Sequence, residues 1–214
     1  MSDVAERGIW LADIAQRENL ATFVERVLRL DEAAVVRLRA RGDGVIVAWA
    51  ATGFEVLAAR VVMGRVAPTD LCAGADALSH ELPGSGRIDP GFAMDSAWRG
   101  ALPPENGFSH LDDVPARTAL ELSQRGVELA REHSGPQGPP PSLLDQDVLT
   151  VSAGDVEVGI PMRCVFALTA MGFVPEPVPE DEVIRVRVHP TWLRIDARFG
   201  SVYRRRSGPI LLSP

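Results

Sequence analysis

Val45-Ile46-Val47-Ala48-Trp49-Ala50-Ala51 is the stretch whose reading decides the fold. It carries no charge and is apolar at both odd and even positions, the pattern of a central strand covered on both faces. Working outward, Gly42-Asp43-Gly44 separates it from Val35 to Ala40, and Thr52-Gly53 separates it from Glu55 to Val66. Both breaks have hairpin chemistry, and all three runs are rich in β-branched and aliphatic residues. The expectation is an antiparallel three-strand meander.

A helix precedes it. Asp13 is placed to cap, with Gln16 three residues on as a capping-box partner, and Leu20, Phe23, Val24, Val27 and Leu28 recur at helical spacing on one face. After the meander, Thr69 is read as the cap of a short helix to about His80, with Leu71, Ala75 and Leu78 inward. Between Pro83 and Gly107 there are nine prolines and glycines in 25 residues, so 83–113 reads as a long loop pinned by Phe92, Met94, Trp98 and Phe108. Asp113, with Pro115 behind it, opens a helix to about Glu132, and Gly135 to Pro141 is a stiff linker.

Beyond the linker, Val148 to Ser152 and Asp155 to Ile160 form a hairpin over Ala153-Gly154. Pro161 opens a helix, Met162 to Met171, closed by Gly172 and apolar around most of its circumference. Three strands end the chain: Val183 to Val188, Thr191 to Ala197 and Ser201 to Arg206. The fold class is therefore α+β, mainly antiparallel sheet in two meanders of about eight strands, packed by about four helices. The expected organisation is one compact domain over 1–214, with possible subdomains 1–134 and 142–214 joined by 135–141.

Composition excludes several chemistries. All 22 basic side chains are arginine, so lysine-anchored Schiff bases, the P-loop lysine and the Ser-x-x-Lys pair are ruled out. Only Asn19 and Asn106 represent asparagine, and this bias reads as that of a high-GC bacterial genome. Cys72 and Cys164 lie 92 positions apart with no ligand spacing around them, as expected of reduced thiols in a cytoplasmic protein. Cys72, read in the first turn of the short helix, is placed where a thiol pKa can fall. Met1 to Gly8 has no signal-peptide pattern, and no run is long and apolar enough for a membrane span. His80, His110, His133 and His189 offer no helical metal pair, and no cofactor or metal is expected. No activated nucleophile stands out either, which points away from an enzyme.

Charge placement is the strongest functional lead. Residues 183–206 hold seven arginines and one acid, Asp196, a net +6 in a chain of −7, so the remainder carries −13. Strand alternation puts Arg185 and Arg187 on one face, and Trp192, Arg194, Asp196 and Arg198 on one face of the next strand. In the last strand Tyr203 and Arg205 share a side opposite Arg204 and Arg206. The expected binding face is Arg185, Arg187, Trp192, Arg194, Arg198, Tyr203 and Arg205. It suits an acidic protein surface, including a second copy of this chain, and the function expected is that of a non-catalytic accessory or regulatory protein working through protein contacts. The arginines could instead be neutralised by the chain's own acids. Single-stranded nucleic acid is the alternative ligand. A further alternative is a small-ligand binder or enzyme with 83–113 as a lid over His110, Asp112 and Trp98.

Overall fold

The computed structural model describes residues 7–42, 44–133 and 141–206. It divides into two compact units, Met1–Gly53 with Leu57–Leu102, and Phe54–Val56 with Pro103–Pro214. Of the segment expected to join two subdomains, residues 135–140 lie outside the described residues. The architecture is α+β, and every strand pair within each unit is antiparallel.

The first unit contains β1 (Gly8–Leu11), α1 (Ile14–Leu30), β2 (Val35–Ala40), β3 (Val45–Ala51), β4 (Leu57–Ala67), β5 (Asp70–Gly74) and α2 (Ala75–Glu81). Its sheet runs β5-β2-β3-β4, and β1 pairs with the end of β4. The β2–β3–β4 meander follows the sequence reading, and Ile46 to Ala50 are all buried. Asp13 caps α1 by accepting from the Gln16 backbone N–H at 2.8 Å. The Gln16 side chain does not close the capping box; its Oε1 accepts from the Met63 N–H on β4. Leu20, Phe23, Val24 and Val27 are buried along one face of the helix, each worth roughly 1.5–3 kcal/mol of transfer free energy. Arg17, also buried, donates to the carbonyls of Glu81, Leu82 and Gly86, which ties α1 to the end of α2.

One element of this unit corrects the sequence reading. Residues 70–74 form a strand, not the start of a helix, and α2 begins only at Ala75. Leu71, Ala75 and Leu78 imitate helical spacing, but Leu71 faces Leu38 in the ladder with β2. A strand beside β2 satisfies backbone groups that a helix there would leave unpaired.

The second unit contains β6 (Ser109–Pro115), α3 (Ala116–His133), α4 (Pro141–Leu144), β7 (Asp147–Ala153), β8 (Val156–Pro161), α5 (Met162–Ala170), β9 (Val183–His189), β10 (Trp192–Ala197) and β11 (Gly200–Arg205). Its main sheet runs β11-β10-β9-β6, with β7–β8 a separate hairpin. Helix α5 buries Met162 to Leu168 without a break, and Gly172, just past its C-cap Met171, has a φ of +62° that suits glycine. Gly200 is needed for close approach, since a Cβ there would lie 2.5 Å from the Phe173 ring. Buried Arg163 on α5 donates to Phe54 O at 2.9 Å, Glu55 Oε2 at 2.7 Å and Asp145 Oδ1 at 2.6 Å.

Residues 109–115 are a strand rather than loop and helix cap, and α3 starts at Ala116, whose N–H donates to Glu182 O. The alternation of a strand is broken in the sequence because β6 carries a bulge between His110 and Asp112. That bulge sets its inward residues, Leu111 and Val114, three apart instead of two.

Candidate functional site

Cross-strand register builds the site. Residues directly opposite one another in an antiparallel ladder share a face. Asp113, Arg185, Asp196 and Ser201 form one row across β6, β9, β10 and β11. His110, Arg187, Arg194 and Tyr203 form the next. His189, Trp192 and Arg205 form the third. The opposite face holds buried Ile184, Val186, Val188, Leu193, Ile195 and Val202. Arg204 is on that inner side and reaches Asp145 at 3.5 Å.

Asp196 organises the first two rows. Its Oδ1 accepts from Arg194 Nε at 2.6 Å and from Ser201 Oγ at 2.5 Å. Its Oδ2 lies 3.0 Å from Arg187 Nε. Asp113 Oδ1 is 2.8 Å from His110 Nε2 and 3.7 Å from Arg185 Nε. Arg198, just beyond β10, pairs with Glu182; that hydrogen bond raises its pKa above the ordinary arginine value. Arg205 is exposed and has no ion pair among the described residues.

The aromatic residues are positioned differently from the arginines. Trp192 and Tyr203 are 8% and 7% exposed, too little for a base to stack on either. Phe108, ahead of β6, lies against both Tyr203 and His189, with ring centres 6.0 and 5.5 Å away. The Arg194 guanidinium stands 5.4 Å from the Tyr203 ring centre and 5.8 Å from that of Phe108. Arg194 is thus fixed by rings as well as by Asp196. The sequence pattern makes Phe108 a loop anchor and Asp113 a helix cap; the short Ser109–Pro115 strand instead brings Asp113 to this face, with Phe108 just ahead of it.

The residues expected under a lid are distributed as follows. In the second unit, His110 is half exposed on β6, and Asp112 Oδ1 accepts from the Asp113 N–H. In the first unit, the indole of Trp98 donates to Gly100 O, and the Arg37 guanidinium lies 5.7 Å from its ring centre. Phe92, expected to pin the loop, is 90% exposed. Two cavities of about 280 Å³ occur in the second unit, one beside α3 around Ser123 and Thr169, the other around Glu182 and Arg198. Neither includes His110 or Asp112.

Neither thiol is activated. Cys72 sits on strand β5 rather than in the first turn of a helix, and burial pushes its pKa up to about 11. Burial pushes Cys164 up to about 12. Among the described residues no three of His, Cys, Asp and Glu converge as a metal set, and no helix is long and apolar enough to cross a membrane.

The comparisons with known proteins follow the two units. Residues 4–100 match the family described as "Domain of unknown function (DUF8010)", and residues 103–209 match "Domain of unknown function (DUF8185)". No curated protein matches the chain. Among solved structures, "Caulobacter crescentus pol III beta" shares the fold at 13% identity and a TM-score of 0.55, covering 94% of this chain and 65% of that one. A putative DNA polymerase III beta subunit from Eubacterium rectale aligns at 10% identity and a TM-score of 0.59, over 96% of this chain and 67% of its own. A DNA polymerase sliding clamp from Caulobacter crescentus aligns at 12% identity and 0.55, over 96% and 67%. The chain thus spans about two thirds of the length of these proteins, and the likeness is one of fold. The DUF8185 match takes in half of the sequence, and the chain belongs to that family.

Proposed function

We propose that the protein is a non-catalytic accessory that works through protein–protein contacts, using the outward face of the β6–β9–β10–β11 sheet. The observation that carries this reading is the register of that face. It sets Arg185, Arg187, Arg194 and Arg205 on three adjacent strands, within a framework of backbone ladders that needs no rearrangement to present them. Rigid, permanently charged forks suit an acidic protein surface, whether another protein or a second copy of this chain. The likeness to polymerase sliding clamps supports the reading by analogy of fold, because those proteins are named as clamps and subunits of a polymerase. It also makes DNA replication the process in which to look for the partner.

Light scattering on the purified chain at about 50 mM and about 500 mM salt tests this, since screening weakens contacts between exposed charges. The expected result is self-association, or retention of an acidic partner by the immobilised chain, that weakens as salt rises. A monomer at both salts together with no retained partner overturns the reading.

A further inference from the structure

We infer that Arg187 and Arg194 form a two-pronged receptor for a single carboxylate, so that the partner docks an exposed Asp or Glu side chain onto them. This rests on the contact reading above and names the chemistry that the face recognises.

The two residues stand directly opposite each other on β9 and β10. Both approach Asp196 through Nε, Arg194 at 2.6 Å and Arg187 at 3.0 Å. Asp196 is itself only 17% exposed in its side chain and is further held by Ser201. The carboxylate therefore neutralises one of the two positive charges; it holds Arg194 by a hydrogen bond and Arg187, whose buried Nε makes no hydrogen bond, by charge alone. Their terminal nitrogens make no hydrogen bond among the described residues. Arg194 is further oriented by the Tyr203 and Phe108 rings, so little side-chain freedom remains to be lost on binding.

Charge selects the ligand. Two guanidiniums and one shared acid leave a net charge of one, which a carboxylate matches. A more highly charged phosphate chain would also meet the acids beside Arg185: Asp113 opposite it on β6, and Asp181 and Glu182 just ahead of β9. The buried faces of Trp192 and Tyr203 give nucleobases no platform. The paired arginines thus fit a protein carboxylate better than a nucleic-acid backbone.

Fluorescence anisotropy of a labelled hexaglutamate peptide tests the inference on the full chain at about 50 mM salt, with a single-stranded oligothymidylate and inorganic tripolyphosphate as competitors. Arg194→Lys keeps the charge but loses the planar fork, and is expected to weaken peptide binding by roughly tenfold or more; Arg187→Gln should do the same. Arg205→Gln, outside the pair, should weaken it by only about twofold. Circular dichroism melts establish that each variant folds, and Arg187→Gln carries the test if Arg194→Lys does not. Equal losses in Arg205→Gln and Arg187→Gln would mean a diffuse field and overturn the inference. So would tighter binding of the oligonucleotide or of tripolyphosphate than of the peptide. If the wild type binds no peptide yet still associates in a salt-sensitive way, the contact reading survives without this receptor; if it does neither, both fall.

Discussion

Each of the two units carries a pair of arginines served by one aspartate, and the two pairs are held in different ways. In the first unit Asp70 takes Arg37 with both oxygens, from Nε at 2.8 Å and from Nη2 at 2.7 Å, while Arg39 stays 3.9 Å away. That hydrogen bond raises the Arg37 pKa above the usual arginine value, and Trp98 lies against the same guanidinium. In the second unit Asp196 divides its two oxygens between Arg194 and Arg187, touching each only at Nε. The ratio of acid to base is the same in both. Geometry differs: Asp70 sits on β5, a strand away from Arg37, and meets its fork side-on, whereas Asp196 sits two residues from Arg194 on the same strand and meets only the root of the fork. A bidentate pair closes an arginine to other ligands, and a shared monodentate one orients it and leaves it available.

The largest effect is expected at a buried arginine whose partners include two carboxylates. Arg163 has a 6% exposed side chain and holds Phe54 O, Glu55 and Asp145. Arg163→Ala removes a buried stem and three charge-assisted bonds, and should cost about 3 kcal/mol in urea denaturation. This is at the low end for a broken buried pair, because Glu55 and Asp145 are 84% and 54% exposed and return to water. Arg163→Met should recover part of the loss through packing alone. A loss below about 1 kcal/mol for Arg163→Ala would show that multiple partners do not make an arginine structural here.

Arg37→Ala should be smaller, about 1–2 kcal/mol in the same measurement, because both partners are partly exposed. It should leave hexaglutamate binding unchanged. Weakened peptide binding in Arg37→Ala would erase the distinction between a closed and an available arginine.

How much of this was readable before folding differs between elements. The β2–β3–β4 meander, the β7–β8 hairpin, α1, α5 and the three final strands follow from alternation, helical spacing and turn residues, because in each the local pattern and the buried face agree. The faces of Arg185, Arg187, Arg194 and Arg205 were legible for the same reason: a period of two in strands paired through short turns fixes them. Strands β5 and β6 were not legible. Leu71, Ala75 and Leu78 carry a helical spacing that tertiary pairing with β2 overrides, and the β6 bulge breaks the period of two. Missing β6 hid the contacts of Asp113 and Phe108 with the arginine face. The division of Asp196 between two guanidiniums was beyond the sequence altogether, since it depends on a diagonal contact between β9 and β10 and on side chains brought in by Ser201 and Phe108.

Asp196→Asn separates orientation from charge at that point. An amide keeps an acceptor for Arg194 or Ser201 but gives up the charge that both arginines share. Its neighbours are partly exposed, 34% for Arg187 and 22% for Arg194, so the stability cost should stay near 0.5–1 kcal/mol. Peptide binding should move the other way. The pair would carry two uncompensated charges in place of one, and affinity for hexaglutamate should rise about twofold to fivefold, with a steeper dependence on salt. If affinity falls instead, Asp196 matters more as a brace than as a competitor, and the receptor works only while its own acid holds it in place.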